Sequence, residues 1–201
     1  MAKRSAPEVN AGSMADIAFL LLIFFLVTTT IPKDSGITRK LPPIEENDQD
    51  VVIKEKNIFT VLLNGKDQLL VEDELMEIED LRLAAIKFLD NGGDGSCSYC
   101  KGAKDPKSSD NPDKAIISLK NDRQTSYAAY ITVQNELVAA YNELRNRRAL
   151  EIGPQKGFAK MDYIAMEKAY DDAKFTGNKV KLKEVIEQIK LEIPQKLSEV
   201  E

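Results

Sequence analysis

The residue best suited to chemistry in this sequence is Asp16, the single charged side chain in the apolar stretch of residues 14–31, MADIAFLLLIFFLVTTTI. An acidic side chain costs roughly 2.5 to 3.5 kcal/mol at the centre of a membrane-spanning helix, and less near its end. The apolar residues that follow at steps of three and four share a helical face with it; they are Phe19, Leu20, Ile23 and Val27. We expect this face to enter a bundle of partner helices, where Asp16 takes up and releases protons.

Asp16 also has a purely structural interpretation. Ser13 lies three residues before it, which is the spacing of a capping box. An anion in the first turn of a helix is favoured by the helix dipole. In that arrangement Asp16 completes the start of the helix at the membrane interface and tolerates substitution. The sequence leaves both interpretations open.

Cys97 and Cys100 form a CxxC pair inside a stretch rich in Gly, Ser, Asp and Lys, residues 91–114. The chain has no His and no other Cys, so one copy cannot close a structural zinc site, although a dimer could supply four thiolates. A thioredoxin-type site needs a strand before the motif and a helix that begins at the first Cys, and neither is evident. A local disulfide in an oxidising compartment is the favoured prediction, and a free dithiol is the alternative.

The composition excludes several classes of function. The chain of 201 residues carries a formal net charge of -5, whereas nucleic-acid binding depends on clustered Lys and Arg. The absence of His removes the commonest general base and the commonest zinc ligand, so a conventional enzyme is not expected. We therefore predict no catalytic residue, no metal, no cofactor and no nucleic-acid partner.

Residues 14–31 are long enough to cross a membrane as one helix, because 18 residues at about 1.5 Å each span roughly 27 Å of a hydrocarbon core about 30 Å thick. Lys3 and Arg4 precede this span, so the positive-inside tendency keeps residues 1–13 in the cytoplasm and sends the C-terminal part across. The alternative is a cleaved signal peptide, which an early carboxylate and a Thr-rich end do not favour. We predict a single-pass membrane protein with its N-terminus in the cytoplasm, in contact with membrane lipid.

The rest of the chain predicts a linker at residues 32–50 and an α+β domain at residues 51–201, both on the far side of the membrane from the cytoplasm. The linker contains three Pro, mixed charges and few large apolar residues, which is the composition of an extended tether. Apolar patterns predict strands at 58–63, 69–71 and 115–119, a possible edge strand at 51–53 and a return to the sheet at 195–200. The dipeptide Asn64-Gly65, the strongest two-residue turn signal, predicts that the first two strands form a hairpin.

Helices are predicted where apolar residues recur at helical spacing. These stripes cover residues 78–89, 130–144 and 180–189, and Pro194 ends the last one. Asp162 is a candidate N-cap for a short helix that includes Ile164 and Met166.

The membrane segment resembles the transmembrane signature of the ExbD/TolR family. The resemblance rests on Asn10, on Asp16 six residues later, and on the Ile, Leu, Phe and Val run that closes in Thr28-Thr29-Thr30. It extends in outline to the soluble domain, where Asn121-Asp122-Arg123 follows a strand and Tyr127 opens a helix. Two segments depart from the compact family form, the insertion at 91–114 and an extra segment at about 150–179.

The resemblance implies a subunit of a proton-driven motor of the bacterial inner membrane, with Asp16 as the proton-carrying residue. It also implies that the linker at 32–50 and the domain at 51–201 lie in the periplasm. The implied partners are an ExbB-like polytopic membrane protein that encloses two copies of the helix, a TonB-like protein, and a second copy bound through helix and periplasmic domain. Such a motor energises TonB-dependent outer-membrane transport. Two alternatives stay open, namely a TolR-like role in the Tol-Pal envelope-integrity system and a membrane-anchored binding module in which Asp16 is only a cap.

Overall fold

The computed structural model describes residues 11–28 and 53–200. They fall into two compact units, the first containing helix α1 (Ala11–Thr28) and the second all the other elements. Residues 29–31 of the predicted membrane span and all of the predicted linker lie outside the described residues. Within the described part of the chain, no helix combines the length and the hydropathy needed to cross a membrane.

The second unit is built on a mixed five-stranded sheet with the order β3-β2-β1-β4-β5. Its strands are β1 (Ile58–Leu63), β2 (Leu69–Val71), β3 (Glu74–Met76), β4 (Ile116–Asn121) and β5 (Leu197–Val200). Strand β1 is antiparallel to β2 and parallel to β4, and β4 is parallel to β5. The helices and the mixed sheet agree with the predicted α+β class.

Alternation along the strands directs one face of the sheet toward the core. In β1 the buried residues are Phe59, Val61 and Leu63, with exposed Thr60 between them. Helix α2 (Ile78–Leu89) and helix α3 (Tyr127–Lys156) cover this face. Their contributions to the core are Leu81, Ala85 and Leu89 from α2 and Val133, Leu137, Ala140, Tyr141 and Leu144 from α3. At roughly 25 cal/mol per Å² of apolar surface removed from water, this cluster is the main stabilising feature of the sheet.

The β1–β2 hairpin forms where it is predicted, but its turn is longer than two residues. Leu63 pairs with Leu69, so five residues make the connection. Asn64 Oδ1 accepts hydrogen bonds from the backbone N–H groups of Lys66 and Gln68, both at 2.9 Å, and Asp67 takes a positive φ of 60°. The Asn side chain therefore organises a wider loop than the two-residue turn that Asn-Gly favours, and the predicted hairpin with its strand bounds is confirmed.

The predicted edge strand at 51–53 falls mostly on residues that the structure does not describe. Residues 51 and 52 lie outside the described residues, and Ile53 is not in a strand. By contrast, the structure adds β3, which is too short to carry an alternation signal. The return to the sheet after Pro194 is found as β5.

The C-terminal helices form a second apolar cluster. Helix α3 is longer than its predicted stripe and ends at Gly157, whose φ of 93° favours glycine. Helices α4 (Tyr163–Asp171) and α5 (Lys179–Glu192) follow it. Asp162 is the N-cap of α4, as predicted, and accepts a hydrogen bond of 2.7 Å from Ala165 N. The cluster joins the end of α3 to both helices through Ala149, Ile152, Phe158, Tyr163, Met166, Leu182, Val185, Ile186 and Ile189.

Candidate functional site

Asp16 lies in the second turn of α1, because the helix already includes Ala11 and Gly12. Ser13 is therefore a residue inside the helix and not an N-cap, so the described helix does not form the capping box that the sequence allowed. Asp16 is exposed, and its carboxyl group is the only charged group within residues 11–28. In the described helix Asp16 therefore does not act as an acid of the first turn.

The predicted partner face follows Asp16 along the same side of α1. Phe19, Leu20 and Ile23 are exposed, and Val27 also belongs to the helix. From residue 16 to residue 27 the face extends roughly 16 Å along the axis at about 1.5 Å per residue. Other sides of the helix expose large apolar residues too, and these are Ile17, Leu21, Leu22, Phe24 and Phe25. A helix that is apolar all round requires an apolar environment, either protein or lipid.

A sequence profile described as "Biopolymer transport protein ExbD/TolR" matches residues 2–147, which is more than half of the chain. The chain belongs to the ExbD/TolR family. This family is transport-related and non-enzymatic, its members are membrane-anchored, and they work in complexes with ExbB/TolQ-type partners. The chain is accordingly an energising subunit of biopolymer transport. None of the curated proteins matches it.

The family profile covers part of the fold, from residue 2 to residue 147. This part contains α1, the strands β1–β4, helix α2 and α3 as far as Arg147. The end of α3, both C-terminal helices and β5 lie beyond it. The extra segment at about 150–179 therefore forms the end of α3, the following loop and α4, whose apolar side chains fill the second cluster.

The insertion at 91–114 carries a disulfide between Cys97 and Cys100, whose Cα atoms are 5.5 Å apart. Both side chains are buried. Among the described residues, no group of three or more His, Cys, Asp or Glu side chains is arranged to hold a metal ion. The pair thus serves as a local covalent link within the loop in this structure.

The tip of the insertion is docked on the C-terminal helices. Tyr99 Oη donates a hydrogen bond of 2.7 Å to Glu192 O, and the Arg148 guanidinium lies 4.8 Å from the centre of the Tyr99 ring. Burial, together with the nearby Glu192 carboxylate, raises the pKa of Tyr99 to about 12, so its hydroxyl remains a donor. Lys101 Nζ pairs with Glu151 Oε1 at 2.5 Å. The loop is therefore a packed part of the domain.

The sequence did not reveal these contacts. Tyr99 and Lys101 are separated from their partners by tens of residues, as Arg148 is from Glu192, and nothing in their local pattern distinguishes them from ordinary surface residues. The CxxC spacing was the one sequence signal that pointed to an ordered loop, because a local disulfide restricts the conformations of the loop that contains it.

Proposed function

We propose that this chain is the proton-carrying subunit of a motor driven by the proton-motive force, which energises TonB-dependent outer-membrane transport together with an ExbB-like polytopic protein. The observation that carries the proposal is Asp16, a lone carboxyl group in the second turn of an apolar helix within the region matched by the ExbD/TolR profile. The absence of an N-cap role removes the main structural explanation for this residue.

Residues 14–31 act as the membrane anchor in this proposal. Lys3 and Arg4 keep the N-terminus in the cytoplasm, and the second unit lies in the periplasm. The apolar side chains exposed on every side of α1 are then covered by lipid and by the helices of the partner. Membrane anchoring is a property of the family as a whole.

Proton transfer at Asp16 is the only chemistry that the proposal requires. A surrounding of low dielectric favours the neutral form of a carboxyl group, whereas access to water restores the charged form. A membrane potential does about 2.3 kcal/mol of work on each charge per 100 mV, which is enough to bias a helix between two orientations if protonation selects one of them. A homodimer presents two such carboxyl groups to one partner complex.

The soluble unit passes the motion of the helix to a TonB-like protein. The predicted linker at 32–50 gives it reach, and the linker's three Pro favour an extended chain. The sheet and its two covering helices give a rigid body with one continuous core. A rigid body on a tether can act on a partner at a distance from the membrane.

The test is growth that depends on TonB-type uptake, under iron limitation, in cells whose only copy carries Asp16→Asn. Asn keeps the size and hydrogen bonding of Asp but cannot titrate. We expect growth to be lost at an unchanged membrane level of the protein, and Asp171→Asn, an exposed Asp at the end of α4, to grow like wild type. Normal growth of Asp16→Asn would remove the proton-carrier proposal and leave an anchored binding module.

The family description covers TolR as well as ExbD, so a TolR-like output in the Tol-Pal system is the second candidate. The same strain distinguishes the two. Sensitivity to detergent and defects in division, with normal uptake, would assign the chain to envelope integrity. Loss of uptake with an intact envelope would assign it to transport.

A further inference from the structure

A buried carboxylate in the insertion contacts residues 54–57, which lie directly before strand β1. Asp110 has a side chain that is only 1% exposed, and it forms ion pairs with Lys56 and, at 3.3 Å, with Lys54. Asn57 Nδ2 donates to Asp110 Oδ2 at 3.3 Å, and Asp110 N donates to Asn57 Oδ1 at 2.8 Å. The hydrogen bond from Lys56 is the main cause that holds the pKa of Asp110 below its usual range, so the carboxylate is charged.

The insertion is built so that Asp110 cannot move freely. Asn91 Nδ2 donates to Ser109 O at 2.7 Å and to Asp105 O at 2.8 Å, and Gly93 N donates to Ser109 O at 2.9 Å. A Cβ at position 93 would overlap the backbone oxygen of Asp105. Residues 91–93 and residues 105–109 of the insertion therefore pack against each other next to Asp110. The backbone carbonyl groups of Asp105 and Ser109 accept hydrogen bonds there.

The insertion is in turn fixed to α3. Asp90, immediately before it, forms a two-pronged pair with Arg147, with a separation of 2.8 Å between Nη1 and Oδ2. Further along, Lys101 pairs with Glu151. A continuous chain of contacts thus leads from Lys54 and Lys56 through the insertion to the C-terminal half of α3.

The first two residues of β1 are paired on one side only. Ile58 and Phe59 pair with β4 on one side, whereas pairing with β2 begins only at Val61. A pull on the chain before Ile58 would load the hydrogen bonds of this strand end one after another, and strand ends open at low free energy. Because residues 54–57 are bound to Asp110, a force applied to the chain before Ile58 acts on these contacts before it acts on the hydrogen bonds of β1.

We propose that the insertion at 91–114 is a clamp on the junction between the predicted linker and the folded domain, and that Asp110 is its positioning residue. The clamp passes movement of the linker to α3 and spares β1. This last role rests on the proposed motor function, whereas the existence of the clamp does not.

Hydrogen exchange of the full chain in detergent micelles tests the clamp. We expect Asp110→Asn and Lys56→Met to raise exchange of the amides in residues 54–60 by about tenfold or more, with peptides from α3 unchanged. Lys56→Arg keeps the cation, and Asp113→Asn changes an exposed carboxylate of the same insertion, so both should exchange like wild type. If Asp110→Asn does not accumulate, amide exchange of residues 54–60 is compared between Lys56→Met and Lys56→Arg, and this comparison tests the clamp.

Two results would overturn the clamp. One is wild-type exchange of residues 54–60 in Asp110→Asn and Lys56→Met. The other is an equal rise in every peptide of both variants, since the residues would then stabilise the whole domain and not its junction. Growth under iron limitation tests the mechanical role separately: Lys56→Met should grow more slowly than Lys56→Arg at equal protein level, and equal growth would remove that role. If Asp16→Asn grows normally, the exchange measurement still judges the clamp.

Discussion

Arg147 on α3 and Asp90 at the end of α2 form a bidentate ion pair, in which Arg147 Nη2 lies 2.5 Å from Asp90 Oδ1. The Asp90 side chain is 9% exposed, so the carboxylate is largely removed from water. Arg147 is also the last residue matched by the family profile. The pair joins the two helices that cover the sheet at the place where the insertion begins.

Loss of this pair should destabilise the domain. We expect Arg147→Met to lower the free energy of unfolding by about 1 to 3 kcal/mol, because it leaves a buried carboxylate without its cation. The measurement is urea unfolding of the full chain in detergent. Arg123→Met, at an exposed position after β4, is the matched control and should unfold like wild type. An equal change in both variants would contradict a specific role for the pair.

Acid should destabilise the domain through two carboxylates of the insertion. Hydrogen bonds from Ser96 and Lys114 hold the pKa of Asp94 below its usual range, and Lys56 does the same for Asp110. A lowered pKa in the folded state stabilises the protein above the unfolded pKa of about 4, and this stabilisation is lost as the pH falls further. Thermal unfolding as a function of pH should show a decline in Tm below about pH 4.

The pH dependence should be shallower in Asp110→Asn, because one of the carboxylates with a lowered pKa is gone. Asp113→Asn should keep the wild-type profile. A profile of Asp110→Asn that is parallel to wild type would show that Asp110 does not contribute to acid sensitivity.

The Cys97–Cys100 disulfide should be detectable and should stabilise the loop modestly. A thiol-reactive mass tag should add no mass to the native chain and two tags after reduction; two tags before reduction would contradict the link. Because the closed loop is very short, replacement of both cysteines by Ser should cost about 2 kcal/mol by the chain-entropy estimate. The effect is measurable as a lower urea midpoint.

The N-cap of α4 should matter for the second cluster. We expect Asp162→Ala to lower the free energy of unfolding by about 1 kcal/mol, because Ala165 N loses its acceptor at 2.7 Å. Asp171→Ala removes an exposed carboxylate at the other end of the same helix and should cost less. Helical content followed by circular dichroism during urea unfolding compares the two, and an equal loss would argue against capping.

Much of the fold followed from local pattern. Alternation in residues 58–63 predicted β1, the stripe at 78–89 predicted α2, and Asp162 identified the start of α4. The errors occurred where a side chain or a distant element changed a local preference. Asn64 widened the hairpin turn, and the end of α3 continued beyond its predicted stripe because its apolar residues pack against α4 and α5.

The sequence by itself determined that Asp16 is the single charge in an apolar helical segment, since this depends only on neighbouring residues. Only the tertiary structure decided that β1 pairs in parallel with β4 and that the Asp110 side chain accepts a hydrogen bond from Asn57. Asp110 and Asn57 are 53 positions apart, and in the sequence Asp110 is one more acid in a polar loop. Its burial and its partners arise from the packing of the whole domain, which local periodicity does not encode.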